Sequence, residues 1–129
     1  HRLSVSLAVT QTPAVKKHVV CAQIHDAKED VLMIRVEDRK LLIERNSADD
    51  VMLTREYALG TPVNIQIEAG DGRLWVWYED ELTLDWEVVR RNCYFKVGCY
   101  TQSNPERGDA PDAFGEVVVR KLSVEHRDD

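Results

Sequence analysis

The chain has 129 residues, 43% of them hydrophobic and 31% charged, a balance that suits one globular domain with a single modest core. Its net charge of −6 argues against generic nucleic-acid binding, which needs a basic surface to displace counterions. No apolar run approaches the roughly 18 residues of a membrane-spanning helix, and no charged-then-apolar leader opens the chain, so no membrane insertion is expected.

Alternation of apolar and polar residues dominates, with the period of two that marks strands. Leu3, Val5, Leu7 and Val9 alternate with Ser4, Ser6, Ala8 and Thr10, so His1 to Val5 already reads as strand. A signal peptide or an earlier domain is therefore expected to have preceded this sequence. After Pro13 and two lysines the pattern resumes from His18 to His25. Further strands are predicted over Val31 to Glu37, Leu41 to Arg45, Val63 to Ala69, Arg73 to Tyr78, Leu82 to Trp86, Cys93 to Thr101 and Gly115 to Val124.

The separators fit that reading. Gly70-Asp71-Gly72 is a hairpin signal, because glycine and aspartate tolerate the positive φ of tight turns. Asn46 to Asp50 and Glu79 to Glu81 mark further turns, and Asp26 to Asp30 reads as a solvated one. Ser103 to Ala113 is a long irregular loop of the kind that often forms a lid or rim. Nine short strands with almost no helical stretch predict an all-β fold, an antiparallel sandwich or jelly roll.

Cys21, Cys93 and Cys99 lack the paired spacing of a zinc site, so neither a metal nor another cofactor is expected. Cys93 and Cys99 lie on one predicted strand, roughly 20 Å apart if it is straight, too far for a disulfide.

Residues two apart on a strand share a face. Gln23 and His25 therefore point the same way, roughly 7 Å apart, with Ile24 turned into the core between them. An amide beside an imidazole suits holding and deprotonating a substrate, and serves equally well as an ordinary surface pair. On the run Tyr94 to Gln102, one face carries Tyr94, Lys96, Tyr100 and Gln102, and the other Phe95, Val97 and Cys99. Gly98 removes a side chain from the polar row, which leaves room for a ligand to approach the backbone. That row suits a flat anionic ligand, or else a solvated face of cross-strand pairs. Trp75 and Trp77 also share a face, which could stack on the rings of a ligand but reads rather as core.

Gln23-Ile24-His25 and Tyr94-Phe95-Lys96-Val97-Gly98-Cys99-Tyr100-Thr101-Gln102, in that order and about seventy residues apart, resemble the two carboxy-terminal signature motifs of the alginate lyase family of jelly-roll polysaccharide lyases. Leu3 to Pro13 and Val117 to Val124 resemble the flanking strands of that family. Its earlier arginine-rich strand, Arg-Thr/Ser-Glu-Leu-Arg, has no counterpart in residues 1–129. The resemblance thus implies that the whole chain is the carboxy-terminal portion of one lyase domain, incomplete on its amino-terminal side, with the remainder of that domain as a partner.

The implied chemistry is β-elimination on an acidic polysaccharide, alginate or another polyuronate. The C5 proton of a uronate is removed and the sugar oxygen on C4 is expelled. By resemblance, Gln23 helps neutralise the substrate carboxylate, in place beside the family's arginine. Tyr100 protonates the leaving oxygen, and serves also as base for one substrate stereochemistry; His25 is base, or supports it, for the other. Tyrosine has a reference pKa of about 10, so as a base it needs a nearby cation. Lys96 is four strand positions away, roughly 13 Å, which predicts that the cation comes from another strand. Lys96 and Arg35 are expected to bind substrate carboxylates, with Tyr94 and Gln102 as further contacts. An isoleucine between the glutamine and the histidine points toward guluronate-containing alginate, and the family implies secretion. The alternative is a noncatalytic, lectin-like carbohydrate-binding sandwich, which would use the same face without the chemistry; a third is a structural or protein-interaction sandwich.

Overall fold

A computed structural model of the chain describes residues 1–14, 17–90, 92–101 and 114–126. The predicted loop Ser103 to Ala113 and Gln102 lie outside the described residues. Among those described, ten strands are present: β1 (Arg2–Gln11), β2 (His18–His25), β3 (Asp30–Glu37), β4 (Lys40–Arg45), β5 (Ala48–Thr54), β6 (Val63–Gly70), β7 (Arg73–Tyr78), β8 (Glu81–Glu87), β9 (Tyr94–Thr101) and β10 (Glu116–Glu125). They form two five-stranded sheets with antiparallel pairing throughout, β10-β1-β6-β7-β8 and β5-β4-β3-β2-β9. No helix among the described residues is long and apolar enough to cross a membrane.

Nine of the ten strands follow the alternation read from the sequence, and β5 is the exception. Its polar opening, Ala48-Asp49-Asp50, looks like turn, yet the turn is only Asn46-Ser47, with Ser47 at φ 66°. An edge strand pairs on one side only, so it tolerates exposed carboxylates that a central strand would not. The two-residue turns Asp71-Gly72 and Glu79-Asp80 have positive φ at both positions (52° and 75°, 50° and 65°), the type I′ geometry whose twist matches a hairpin.

The core lies between the sheets. Leu3, Val5, Leu7 and Val9 from β1, with Ile65, Ile67 and Val76, face Ile24, Leu32, Ile34, Val36 and Ile43. Tyr57 is buried among them. Its hydroxyl accepts from the Val9 backbone N–H at 3.0 Å and donates to the Thr61 carbonyl at 2.6 Å. One flank departs from this closure. On β10, Val119, Leu122 and Val124 pair with Leu7, Val5 and Leu3, and so share their inward face, yet they are 41%, 54% and 45% exposed. Core-type side chains at core-facing positions stand in solvent there.

Candidate active site

The pairing of β2 with its two neighbours assembles the candidate site. Opposed residues in a ladder project from the same side of the sheet. Gln23 lies opposite Lys96 on β9 and Met33 on β3; Val20 lies opposite Tyr100 and Arg35; His25 lies opposite Tyr94 and Asp30. Ile24 and Ala22, paired with Phe95 and Val97, point into the core. Six of the seven predicted site residues thus share the outer face of one sheet: Gln23, His25, Arg35, Tyr94, Lys96 and Tyr100. In order along β9, the Tyr94–His25 pair comes first, then Lys96–Gln23, then Tyr100, so the amide lies between imidazole and phenol.

The surface differs from the sequence reading in three respects. Gln23 is not on an open face: it is only 4% exposed, between its ladder partners Met33 and Lys96. Lys96 does reach Tyr100, with its Nζ 4.8 Å from the ring centroid. The 13 Å expectation, roughly four strand rises, treated both side chains as perpendicular to the strand; the ammonium stem and the folded ring close that gap. The space at Gly98 is filled by protein, since a Cβ there would lie 3.3 Å from both Cε2 and Oη of Tyr100.

His25 is oriented by its hairpin. Its Nδ1 lies 2.5 Å from the Asp26 carbonyl oxygen, an atom that can only accept, so the ring donates from Nδ1 there. Nε2 lies 3.4 Å from an Asp30 carboxylate oxygen, and the Tyr94 hydroxyl lies 3.4 Å from Nδ1. Asp30 belongs to this group and was read from sequence as solvated turn. The length of the Asp26 to Glu29 turn could have found it, because that length sets Asp30 opposite His25. The Asp26 carboxylate accepts from the Lys28 and Glu29 backbone N–H groups, each at 2.8 Å, and these bonds hold its pKa below the usual value.

Arg35 projects from the predicted face but is already engaged. Its two terminal nitrogens contact Glu44 at 3.0 Å and Glu37 at 3.1 Å, and its side chain is 11% exposed. A substrate carboxylate would have to compete with these two. Trp75 and Trp77, read as core, pair with Glu68 and Gln66 on the outer face of the other sheet, while Leu74 and Val76, which alternate with them, are buried. Cys21 and Cys99 are free thiols, and burial pushes the Cys21 thiol up to about 12. Among the described residues no group of three or more histidine, cysteine, aspartate or glutamate side chains could hold a metal ion.

The fold is an all-β jelly-roll sandwich with a polar face on one sheet. The family model described as alginate lyase matches residues 1–126, and the chain belongs to that family. Its fold is shared by the alginate lyase AlgAT5 of polysaccharide lyase family 7, with 38% identity, TM-score 0.85, and coverage of 95% of this chain and 59% of that one. An alginate lyase from Corynebacterium sp. superposes with TM-score 0.91 at 31% identity, covering 98% of this chain and 58% of that one. An alginate lyase from Pseudomonas aeruginosa, at 18% identity, shares the fold with TM-score 0.83 over 98% of this chain and 64% of that one. The chain therefore spans less than two thirds of the length of these relatives. No curated protein sequence matches it.

Proposed function

We propose that this chain is the carboxy-terminal portion of a polysaccharide lyase domain that cleaves alginate, or a related polyuronate, by β-elimination. The observation that carries the reading is the convergence of Gln23, His25, Lys96 and Tyr100 on one sheet face through the β2–β9 register. Removing the C5 proton of a uronate places a second negative charge beside its carboxylate, so the reaction needs donors aimed at that group. Such preorganised donors are worth several kcal/mol. Gln23, buried at that face, supplies an amide donor, and Lys96 beside it supplies positive charge.

Proton transfer falls to the groups on either side. Tyr100 protonates the oxygen leaving C4. Where the C5 proton lies on the same side of the ring as that oxygen, the phenol also serves as base; where it lies opposite, the His25 imidazole takes it. Arg35 binds a neighbouring carboxylate along the polymer by exchanging one of its glutamate partners, with Tyr94 and Gln102 as outer contacts. The guluronate preference suggested by Gln23-Ile24-His25 would have to act indirectly, because Ile24 is buried in the core. A polymeric substrate is met outside the cell, which supports a secreted protein.

The remainder of the domain is proposed to cover the flank where Val119, Leu122 and Val124 are exposed, next to the edge strand that carries Lys96 and Tyr100. Mixing the protein with alginate and following the ultraviolet absorbance of unsaturated uronate tests the reading. Tyr100→Phe is expected to lower the rate roughly 100- to 10,000-fold, and Gln23→Ala roughly 100- to 1,000-fold. Saccharide binding with no absorbance rise, in a chain carrying the whole domain, would replace the lyase with a binding module.

A further inference from the structure

Gly98 sits in the middle of β9, where a glycine weakens a strand because it has no side chain to pack. A left-handed backbone would explain its presence, but its φ lies outside that region, so any residue fits the backbone at this position. What it supplies is space. Side chains two apart on a strand stand roughly perpendicular to the sheet, about 7 Å from one another. The ring of Tyr100 instead lies back along the strand, with Cε2 and Oη 3.3 Å from the Cβ position of Gly98 and its centroid 4.8 Å from the Lys96 Nζ. The ladder helps: from the Ala22–Val97 pair to the Val20–Tyr100 pair, β9 advances three residues while β2 advances two. Tyr100 is carried past the Gln23–Lys96 pair by that step, and its ring lies back over Gly98 toward Lys96.

We propose that Gly98 is a positioning residue, whose missing side chain lets the Tyr100 phenol lie beneath the ammonium of Lys96, the residue paired with Gln23. It acts through Tyr100 and touches no substrate. The proposal rests on the lyase reading only for its effect on rate, not for the placement of the ring. Contacts at 3.3 Å are tighter than most methyl groups accept, so an alanine makes the ring give by a few tenths of an ångström and changes its seat against the ammonium. Gly70 is the matched control: it lies on the other sheet, has no left-handed φ, and a Cβ there meets nothing within 4 Å.

The test uses the protein labelled with 3-fluorotyrosine, with the Tyr100 fluorine resonance assigned by Tyr100→Phe. Gly98→Ala is expected to shift that resonance and Gly70→Ala to leave it in place. Lys96→Gln, which leaves the backbone of β9 untouched, is expected to shift it as well, so the geometry is tested even if Gly98→Ala fails to fold. On alginate, Gly98→Ala is expected to lower kcat about 10- to 100-fold with KM nearly unchanged, the signature of a displaced reacting group. A Tyr100 resonance unmoved by a folded Gly98→Ala overturns the proposal, as does one unmoved by Lys96→Gln, and so does a moved resonance with kcat intact. A wild-type preparation carrying the whole domain that shows no lyase activity defeats the lyase reading instead, and the fluorine shifts still decide where the ring lies.

Discussion

The two flanks of this sandwich are built from the same residue types in the same alternation and end in opposite states. In the middle of the structure, Ile34, Ile43, Ile67 and Val76 are fully buried between sheets. On β10, residues in register with Leu3, Val5 and Leu7 are about half exposed. Alternation therefore states which way a side chain points, and a second layer decides whether it is buried. The open flank adjoins β9, so the residues assigned to chemistry stand on the less protected side. Stability and proposed function are drawn from different regions of the same fold.

Paired truncations break or support that contrast most directly. Ile34→Ala removes atoms from a site with no exposure and is expected to cost about 2–5 kcal/mol in denaturant unfolding, enough to unfold a marginal chain. Leu122→Ala deletes as much side chain from the open flank and is expected to cost under about 1 kcal/mol. Equal losses would mean that β10 is covered in solution. Tyr57→Phe comes next. It leaves the buried Val9 N–H without the hydroxyl that accepts from it, and is expected to cost about 1–3 kcal/mol.

The sequence was most legible where one rule decides the outcome. Periodicity placed β2 at His18–His25, and the alternation along Tyr94 to Tyr100 predicted the shared face that the β2–β9 register displays. It failed at Asp49 and Asp50, because an edge strand tolerates charges that elsewhere signal a turn. It failed at Trp75 and Trp77, because period two cannot tell which of two faces meets the other sheet when both carry large apolar residues. The approach of Lys96 to Tyr100 was hidden for another reason. A count of strand rises measures backbone positions, whereas a long flexible stem and a ring lying over a glycine are decided by local packing. The depth of Gln23 and the carboxylates around Arg35 depend in the same way on neighbours brought from other strands.

Thiol chemistry sharpens the contrast without a change in stability. Cys21 lies in the core, where burial pushes its pKa to about 12, while Cys93 and Cys99 are exposed on or beside β9. Partial burial raises both of these as well, but leaves them reachable. A thiolate-seeking disulfide reagent at about pH 8 is expected to modify Cys99 in the native chain and Cys21 only after denaturation. Protection of Cys99 in a preparation that carries the whole domain would place the added segment against β9.

The smallest expected effect lies at the hairpin that sets His25 opposite Asp30, where exposed polar contacts replace buried packing. Asp26 accepts the Lys28 and Glu29 N–H groups, and its native pKa falls below the ordinary 3.8 because those bonds favour the charged form. A lowered folded-state pKa contributes stability that is complete above the unfolded value and is lost as pH falls through the native one. Asp26→Asn keeps an oxygen that can accept both bonds but cannot titrate. It is expected to be slightly less stable than the parent near neutral pH and to lose that deficit below about pH 4, so the two unfolding curves converge in acid. A deficit that stays constant from about pH 6 to about pH 2 would assign the turn to shape alone. In that case the orientation of His25 would owe nothing to the Asp26 charge, and the rim would be held as the core is, by fit.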